Sequence, residues 1–185
     1  MKRILTWLVA LAMIAGLGLV AATSAQAAAP YCGITWGSLT KATGDLLSSA
    51  PVTNVRAGRH DCYDRLVMDI AGPLPRGFRV EYVDAVRSPG SGEVVRLRGG
   101  AFLQITLQNP AHDINTGVPT YNQANRNELV NVSGWQTFRQ VALVSDFEGY
   151  TDLGLGVRAR MPFRVFSLAG PGGGSRVVID VAHRW

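Results

Sequence analysis

The sequence predicts an all-β protein, an antiparallel β-sandwich of about eight or nine short strands with at most one or two short helical turns. Three observations favour this fold class. Apolar and polar residues alternate with a period of two in many short runs, and Gly, Pro, Asn and Asp separate these runs. The period of an amphipathic helix is nearly absent. Many short, closely spaced strands are typical of sandwiches and barrels.

The predicted strands follow one another at short intervals. In the fifth of them, Leu103, Ile105 and Leu107 would face the core, while Gln104 and Thr106 would face outward, because successive side chains of a strand point to opposite faces. The same alternation places strands at residues 52–56, 64–70, 78–83, 94–97, 102–107, 139–145, 153–158, 163–168 and 175–181.

Three connections carry further expectations. Gly99-Gly100, between the fourth and fifth predicted strands, is a signal for a β-hairpin. Residues 39–47 are the best candidate for one or two helical turns. Residues 108–130, rich in Asn and with Pro110 and Pro119, lack clear periodicity and predict a long irregular segment. A segment of this length is either functional or a solvated connection.

The N-terminus has the three parts of a secretory signal peptide, predicted over residues 1–27. Lys2 and Arg3 precede a long apolar run, and Ala25-Gln26-Ala27 forms an A-x-A cleavage site. An uncleaved N-terminal anchor is the alternative. Cleavage would leave residues 28–185, which we expect to form a single domain and a monomer. No second apolar run is long enough to predict a membrane-spanning helix.

The net charge is modest once this leader is set aside. The full chain of 185 residues carries 18 cationic and 13 acidic side chains. Without Lys2 and Arg3, 16 cationic side chains remain against the same 13 acidic ones, a net charge of +3. Lys41 is then the only lysine, and the arginines are scattered along the chain. Nucleic-acid binding, which needs clustered cations, is therefore not expected.

The two cysteines predict a disulfide between Cys32 and Cys62. An exported chain meets an oxidising compartment, where paired cysteines form disulfides. Closing the segment between them would stabilise the fold by roughly 3–4 kcal/mol in the chain-entropy model. Lipidation of Cys32 is the alternative, but Pro30 and Tyr31 do not fit the small residues that precede a lipid-anchored cysteine. We therefore expect a secreted or wall-associated protein without a lipid anchor.

No catalytic constellation, cofactor or metal site is predicted. The S-x-x-K match at residues 38–41 lacks the other elements of penicillin-recognising enzymes, and the G-x-G-x-x-A match at 154–159 is followed by Pro and a strand instead of a helix. His60, His112 and His183 show no ligand spacing. A hydrolase would require the fold to bring one of them against a carboxylate in a concave pocket.

The arginine and aromatic side chains of this sequence are suited to ligand binding. Arginine binds carboxylates and phosphates with two hydrogen bonds, and aromatic rings stack on sugars or guanidinium groups. Arg65 could instead form a structural ion pair with Asp64. The candidate ligand-binding residues are Arg65, Tyr82, Trp135, Tyr150, Arg158 and Arg160.

A series of short motifs follows in a fixed order along the chain. The motifs are Trp36-Gly37-Ser38, Tyr63-Asp64-Arg65-Leu66-Val67, Tyr82-Val83, Leu107-Gln108-Asn109-Pro110-Ala111, Asp146-Phe147-Glu148-Gly149, Pro162-Phe163-Arg164-Val165 and Arg176-Val177-Val178-Ile179-Asp180-Val181-Ala182-His183. Together they resemble the AMIN-like domain of secreted proteins and lipoproteins of actinobacteria, and the resemblance covers roughly Cys32 to Trp185.

The resemblance implies a fold and a function. The related AMIN domain of exported cell-wall amidases is a small β-sandwich that targets them to the envelope and binds peptidoglycan. This implies a non-catalytic domain that binds peptidoglycan or another wall polymer. An envelope protein–protein interaction module and a small-ligand carrier are the alternatives, and a hydrolase that uses His and Asp is a further one.

Overall fold

Two antiparallel sheets form the sandwich that the alternating sequence predicts. The computed structural model describes residues 30–44, 46–74 and 77–185, and the predicted leader lies outside these ranges. Apart from two short 3-10 turns, the regular structure of the described residues is all β. The strands are β1 (Lys41–Thr43), β2 (Val52–Arg59), β3 (Tyr63–Ile70), β4 (Phe78–Val83), β5 (Ala101–Leu107), β6 (Phe138–Phe147), β7 (Tyr150–Val157), β8 (Phe163–Ala169) and β9 (Ser175–Ala182).

The two sheets pack face to face around one apolar core. The five-stranded sheet has the order β1-β4-β5-β7-β6, and the four-stranded sheet has the order β2-β3-β9-β8. Leu66 and Ile179 point inward from the four-stranded sheet, and Leu103 and Leu155 point inward from the five-stranded sheet; all four are fully buried. Their neighbours along each strand point to the two outer faces, as the period of two requires.

The predicted strand at 94–97 and the predicted hairpin at Gly99-Gly100 are wrong. β5 pairs with β4 on one side and β7 on the other, so both of its edges are occupied. Residues 84–99 instead cross the outer face of the five-stranded sheet, where the Gln104 side chain of β5 hydrogen-bonds with the Arg87 backbone. A single isolated bridge, between Arg87 and Val94, lies within this segment. We call residues 84–99 the covering segment.

The helical turns expected around residues 39–47 are also wrong. The described part of this stretch contains β1, which pairs with the edge of β4 and places Lys41 opposite Val80. An open strand edge offers unpaired N–H and C=O groups, and these hydrogen bonds with β4 take the place of a local helical turn. The count of nine strands is therefore right, but β1 replaces the strand predicted at 94–97.

Residues 108–130 are irregular, as predicted, with one isolated bridge between His112 and Pro119. The segment is nevertheless fixed to the sandwich. The Asn109 Nδ2 donates to the Ala50 carbonyl oxygen at 2.7 Å, and Tyr121 packs against the core. Its buried polar and aromatic residues anchor the segment along the sandwich.

Candidate functional site

The outer face of the four-stranded sheet carries a group of paired charges. Arg65 on β3 and Arg164 on β8 lie on either side of Asp180 on β9, in register across the sheet. Arg65 donates from Nε to Asp180 Oδ1 at 2.6 Å and from Nη2 to Oδ2 at 2.9 Å. Arg164 donates from Nε to Oδ2 at 2.8 Å. We call these three residues the upper charge group.

The carboxylate of the upper charge group is buried, whereas its two guanidinium groups reach solvent. The Asp180 side chain is 0% exposed, and those of Arg65 and Arg164 are 24% and 32% exposed. The hydrogen bonds to Asp180 raise the pKa of Arg65 above its ordinary value, against the opposing effect of burial. Two permanent cations therefore share one anion, which leaves one positive charge at the surface.

Aromatic rings surround the upper charge group. The guanidinium of Arg164 lies 5.0 Å from the ring centre of Phe166, 5.5 Å from that of Tyr63 and 5.6 Å from that of Trp36. The guanidinium of Arg65 lies 5.1 Å from the Tyr63 ring. These distances are within the range of cation–π interactions. We call the upper charge group together with Trp36, Tyr63 and Phe166 the arginine–aromatic cluster.

The predicted disulfide holds part of this cluster in place. Cys32 and Cys62 are bonded, with their Cα atoms 6.4 Å apart, and Cys62 directly precedes β3. The bond ties the segment that carries Trp36 to the strand that carries Tyr63, and the two rings lie 6.0 Å apart. The Trp36 indole N–H donates to the Tyr31 carbonyl oxygen at 2.8 Å, which fixes the ring further.

Among the predicted site residues, the structure brings Tyr82 and Arg160 together. The guanidinium of Arg160 lies 4.7 Å from the Tyr82 ring centre. The Tyr82 hydroxyl donates to the Met161 carbonyl oxygen at 2.7 Å and accepts from the Met161 N–H at 3.0 Å. Burial raises the pKa of Tyr82 to about 12. Tyr82 therefore holds the connection between β7 and β8, and its hydroxyl is already occupied.

The other predicted site residues are spread over the molecule. Trp135 is half-buried and stacks on Phe138 with ring centres 5.9 Å apart. Arg158 follows the last residue of β7 and donates to the His183 carbonyl oxygen. Tyr150 begins β7 and so lies at the opposite end of that strand. Of the six, Arg65 belongs to the arginine–aromatic cluster.

Sequence reasoning missed most of this cluster as a binding site. Arg65 does form the structural ion pair that was considered, but with Asp180 instead of Asp64, because neighbouring residues of a strand point to opposite faces. Arg164 and Phe166 alternate along β8 and therefore share a face. That alternation was available in the sequence, whereas the alignment of β8 with β3 across β9 was not.

His183 is fixed through both ring nitrogens. Nε2 faces the Asp64 Oδ1 at 3.1 Å, and Nδ1 faces the Asp61 carbonyl oxygen at 3.2 Å. The Asp64 Oδ2 accepts the backbone N–H groups of Thr137 at 2.7 Å and Phe138 at 2.9 Å. This buried pair links β3, the start of β6 and the end of β9, so its contacts are those of a structural element.

The other two histidines lie in different surroundings. His60 stacks on Tyr63 with ring centres 4.6 Å apart, and it lines a groove of about 420 Å³ together with Asp64 and His183. His112 Nδ1 lies 2.7 Å from Asp146 Oδ2 on β6. His112 thus meets Asp146 instead of its neighbour Asp113, and His183 meets Asp64, which is also distant in sequence.

The chain is similar to a known protein family over most of its length. A family model described as the AMIN-like domain matches residues 50–183. The chain belongs to the AMIN-like domain family. The range matched to the AMIN-like domain runs from just before β2 to just after β9, so β1, Cys32 and Trp36 precede it. No curated protein and no solved structure matches the chain.

Membership of the AMIN-like family indicates a domain associated with the cell wall, outside the cell. In the described part of this AMIN-like domain, no helix has the length and apolar character needed to cross a membrane. Residues 30–44, 46–74 and 77–185 also contain no group of three or more His, Cys, Asp or Glu side chains placed to hold a metal ion.

Proposed function

We propose that this protein is a secreted, non-catalytic domain that binds a polymer of the bacterial cell wall through the arginine–aromatic cluster. The observation that carries the proposal is the composition of this open face. Two arginines share the buried Asp180 and lie within cation–π distance of Trp36, Tyr63 and Phe166. Family membership supports a cell-wall location for such a face.

The chemistry of the cluster suits a sugar polymer that carries anionic groups. Half-buried aromatic rings offer flat apolar faces on which a sugar ring can stack. Guanidinium groups recognise carboxylates and phosphates with parallel hydrogen bonds. Asp180 orients both guanidinium groups before any ligand arrives, so less side-chain entropy is lost on binding. Peptidoglycan combines sugars with carboxylates and is the polymer that we favour.

Two features support export. Residues 1–27 have the sequence of a signal peptide, and Cys32 and Cys62 form a disulfide, which is typical of proteins that fold in an oxidising compartment. The disulfide also ties the segment that carries Trp36 to the cluster, so the oxidised protein is the form expected to bind.

Retention on isolated cell wall tests the proposal. We expect the protein to be retained at low salt and less at high salt, because screening weakens interactions between exposed charges. Arg164→Gln removes one guanidinium but leaves both Arg65 hydrogen bonds to Asp180, so the fold should persist. Loss of such a charge-assisted contact should weaken binding roughly tenfold. Trp36→Ala removes a stacking surface without any change in charge.

Arg96→Gln is the matched control. Arg96 is exposed on the covering segment, against the other sheet, so its substitution changes the net charge equally without touching the cluster. If the wild type is retained and the two variants Arg164→Gln and Arg96→Gln reduce this retention equally, the proposed site is contradicted. No retention of the wild type at either salt concentration would contradict wall binding itself and favour a protein partner or a small ligand.

A further inference from the structure

A second charge group lies on the same face of the four-stranded sheet. Arg56 donates to Asp69 from Nε at 2.8 Å and from Nη2 at 3.0 Å. Arg176 Nε lies 3.4 Å from Asp69 Oδ1, which is an ion-pair distance without hydrogen-bond geometry. Two arginines again share one aspartate. We call Arg56, Asp69 and Arg176 the lower charge group.

The lower charge group opens into a groove. Its three residues line a hollow of about 650 Å³ with Thr53 and the glycine-rich connection 170–174 between β8 and β9. A Cβ atom added at Gly172 or Gly173 would have no atom within 4 Å, so a ligand can approach the backbone closely there. The Arg176 Nε is buried and has no hydrogen-bond partner among the described residues.

The two charge groups repeat with a fixed spacing along the same two strands. Asp69 follows Arg65 by four residues on β3, and Asp180 follows Arg176 by four residues on β9. An even number of residues keeps both groups on one face of the sheet, and four residues of strand rise correspond to about 13 Å. Phe166 of β8 lies between them in register, opposite Val178.

We propose that the lower charge group is a second anion-binding subsite, and that one sugar chain with repeated carboxylates spans both groups. This inference rests on the proposed function, because it assigns a ligand class to the same open face. Each group holds two guanidinium cations against one carboxylate, so each retains one positive charge for a ligand anion. Phe166 then supplies a stacking surface between the two anions.

Simultaneous binding to both charge groups requires a ligand of sufficient length. A short anionic sugar can occupy one subsite, whereas a chain long enough to cover about 13 Å can occupy both. The second contact is then intramolecular, and affinity rises without any new type of contact. Linear oligomers of galacturonic acid are suitable probes, since every sugar carries one carboxylate and defined lengths from monomer to hexamer can be compared.

Calorimetric titration of the wild type with these oligomers tests the inference. We expect the hexamer to bind about a hundredfold more tightly than the monomer. Arg176→Gln, which leaves the Arg56–Asp69 pair intact, should remove most of that gain, and Arg164→Gln should do the same. Arg96→Gln should keep it, which separates bridging from a general effect of net charge.

The outcomes separate this inference from the proposed function. If Arg176→Gln keeps the full gain with length, the lower charge group is not a subsite, even if Arg164→Gln loses wall retention as proposed. Equal affinity of the wild type for monomer and hexamer, or no binding of either, would also overturn the inference. If the wild type is not retained on cell wall, the proposed function is contradicted. The affinities for the monomer and the hexamer then test the second subsite by themselves.

Discussion

The outer faces of the two sheets differ in what lies over them. The covering segment packs on the five-stranded sheet, where Leu97 and Val86 lie directly over Gly154 of β7. The four-stranded sheet carries the two charge groups and the aromatic rings on its outer face instead. One face is thus covered by the chain itself, and the other presents ordered cations and half-buried rings, which is why we assign ligand binding to it.

Two buried aspartates sharpen this contrast. Asp180, on the open face, accepts hydrogen bonds from two guanidinium groups. Asp152, on the outer face of the five-stranded sheet, accepts from the hydroxyls of Thr106 at 2.6 Å and Ser145 at 3.3 Å. Burial raises the pKa of Asp152 above its ordinary value, with the two hydroxyls opposing the rise. The open face therefore has a paired carboxylate, and the covered face has a carboxylate held by neutral groups.

Asp180→Ala should have the largest effect on stability. It leaves two guanidinium groups facing each other without their shared carboxylate, and removing one partner of a buried ion pair typically costs 3–5 kcal/mol. We expect a loss of about 4 kcal/mol in the free energy of unfolding, measured with urea. Asp69→Ala is the matched control. Its side chain is 24% exposed, so its loss should cost only about 1 kcal/mol. Equal losses would contradict the distinction between the two charge groups.

Removal of the disulfide should come second. Cys32→Ser with Cys62→Ser releases a loop with a sequence separation of 30, which should cost roughly 3–4 kcal/mol in the chain-entropy model. Because Trp36 lies on the released segment, retention on cell wall should fall as well. Urea unfolding and the retention assay measure the two effects. Weaker retention in a variant that keeps wild-type stability would show that the bond serves the binding face alone.

The fold was largely predictable from the sequence, and the reason is the alternation along each strand. Patterns such as Leu103, Ile105 and Leu107 fix which side chains face the core, and eight of the nine strands follow from them. Within the covering segment, residues 94–97 predict a strand because Val94 and Val95 have strand propensity. The lack of a free neighbouring edge for such a strand is a property of the folded sheet.

The candidate site was harder to predict because it depends on register. Arg65, Arg164 and Asp180 are far apart in sequence, and only the alignment of β3, β9 and β8 joins them. The chemistry of Arg65 marks it as a candidate in the sequence, whereas Asp180 becomes its partner only through this alignment. Trp36 is brought near by the disulfide, which the sequence did predict.

Gly156→Ala tests how closely the covering segment packs. A Cβ atom at Gly156 would overlap the Arg98 carbonyl oxygen, so the backbone of the segment would have to move. We expect a loss of about 2–3 kcal/mol in the free energy of unfolding, as in other overpacked sites. Gly58→Ala on the four-stranded sheet is the control. Its added Cβ would come no closer than 3.8 Å to His60 Nε2, and the change should be within about 1 kcal/mol.

Asp152→Asn should give the smallest effect, visible as a dependence on pH. The folded pKa of Asp152 lies above its ordinary value of 3.8, so the folded state binds more protons than the unfolded state between these two values. Wild-type stability from this group is therefore lost as pH rises through that interval. Asparagine does not titrate, and its amide can satisfy both hydroxyls because each can donate or accept.

The stability of Asp152→Asn relative to the wild type should consequently increase as pH rises from about 4 and level off above the folded pKa. Asp69→Asn should show the opposite sign, because the hydrogen bond from Arg56 lowers the pKa of Asp69. That contribution is present above the ordinary pKa and is lost as pH falls through the folded pKa. Urea unfolding of both variants across the acidic range measures the two trends. If both trends ran in the same direction, the contrast between Asp69, which is paired with arginine, and Asp152, which is held by neutral hydroxyls, would be wrong.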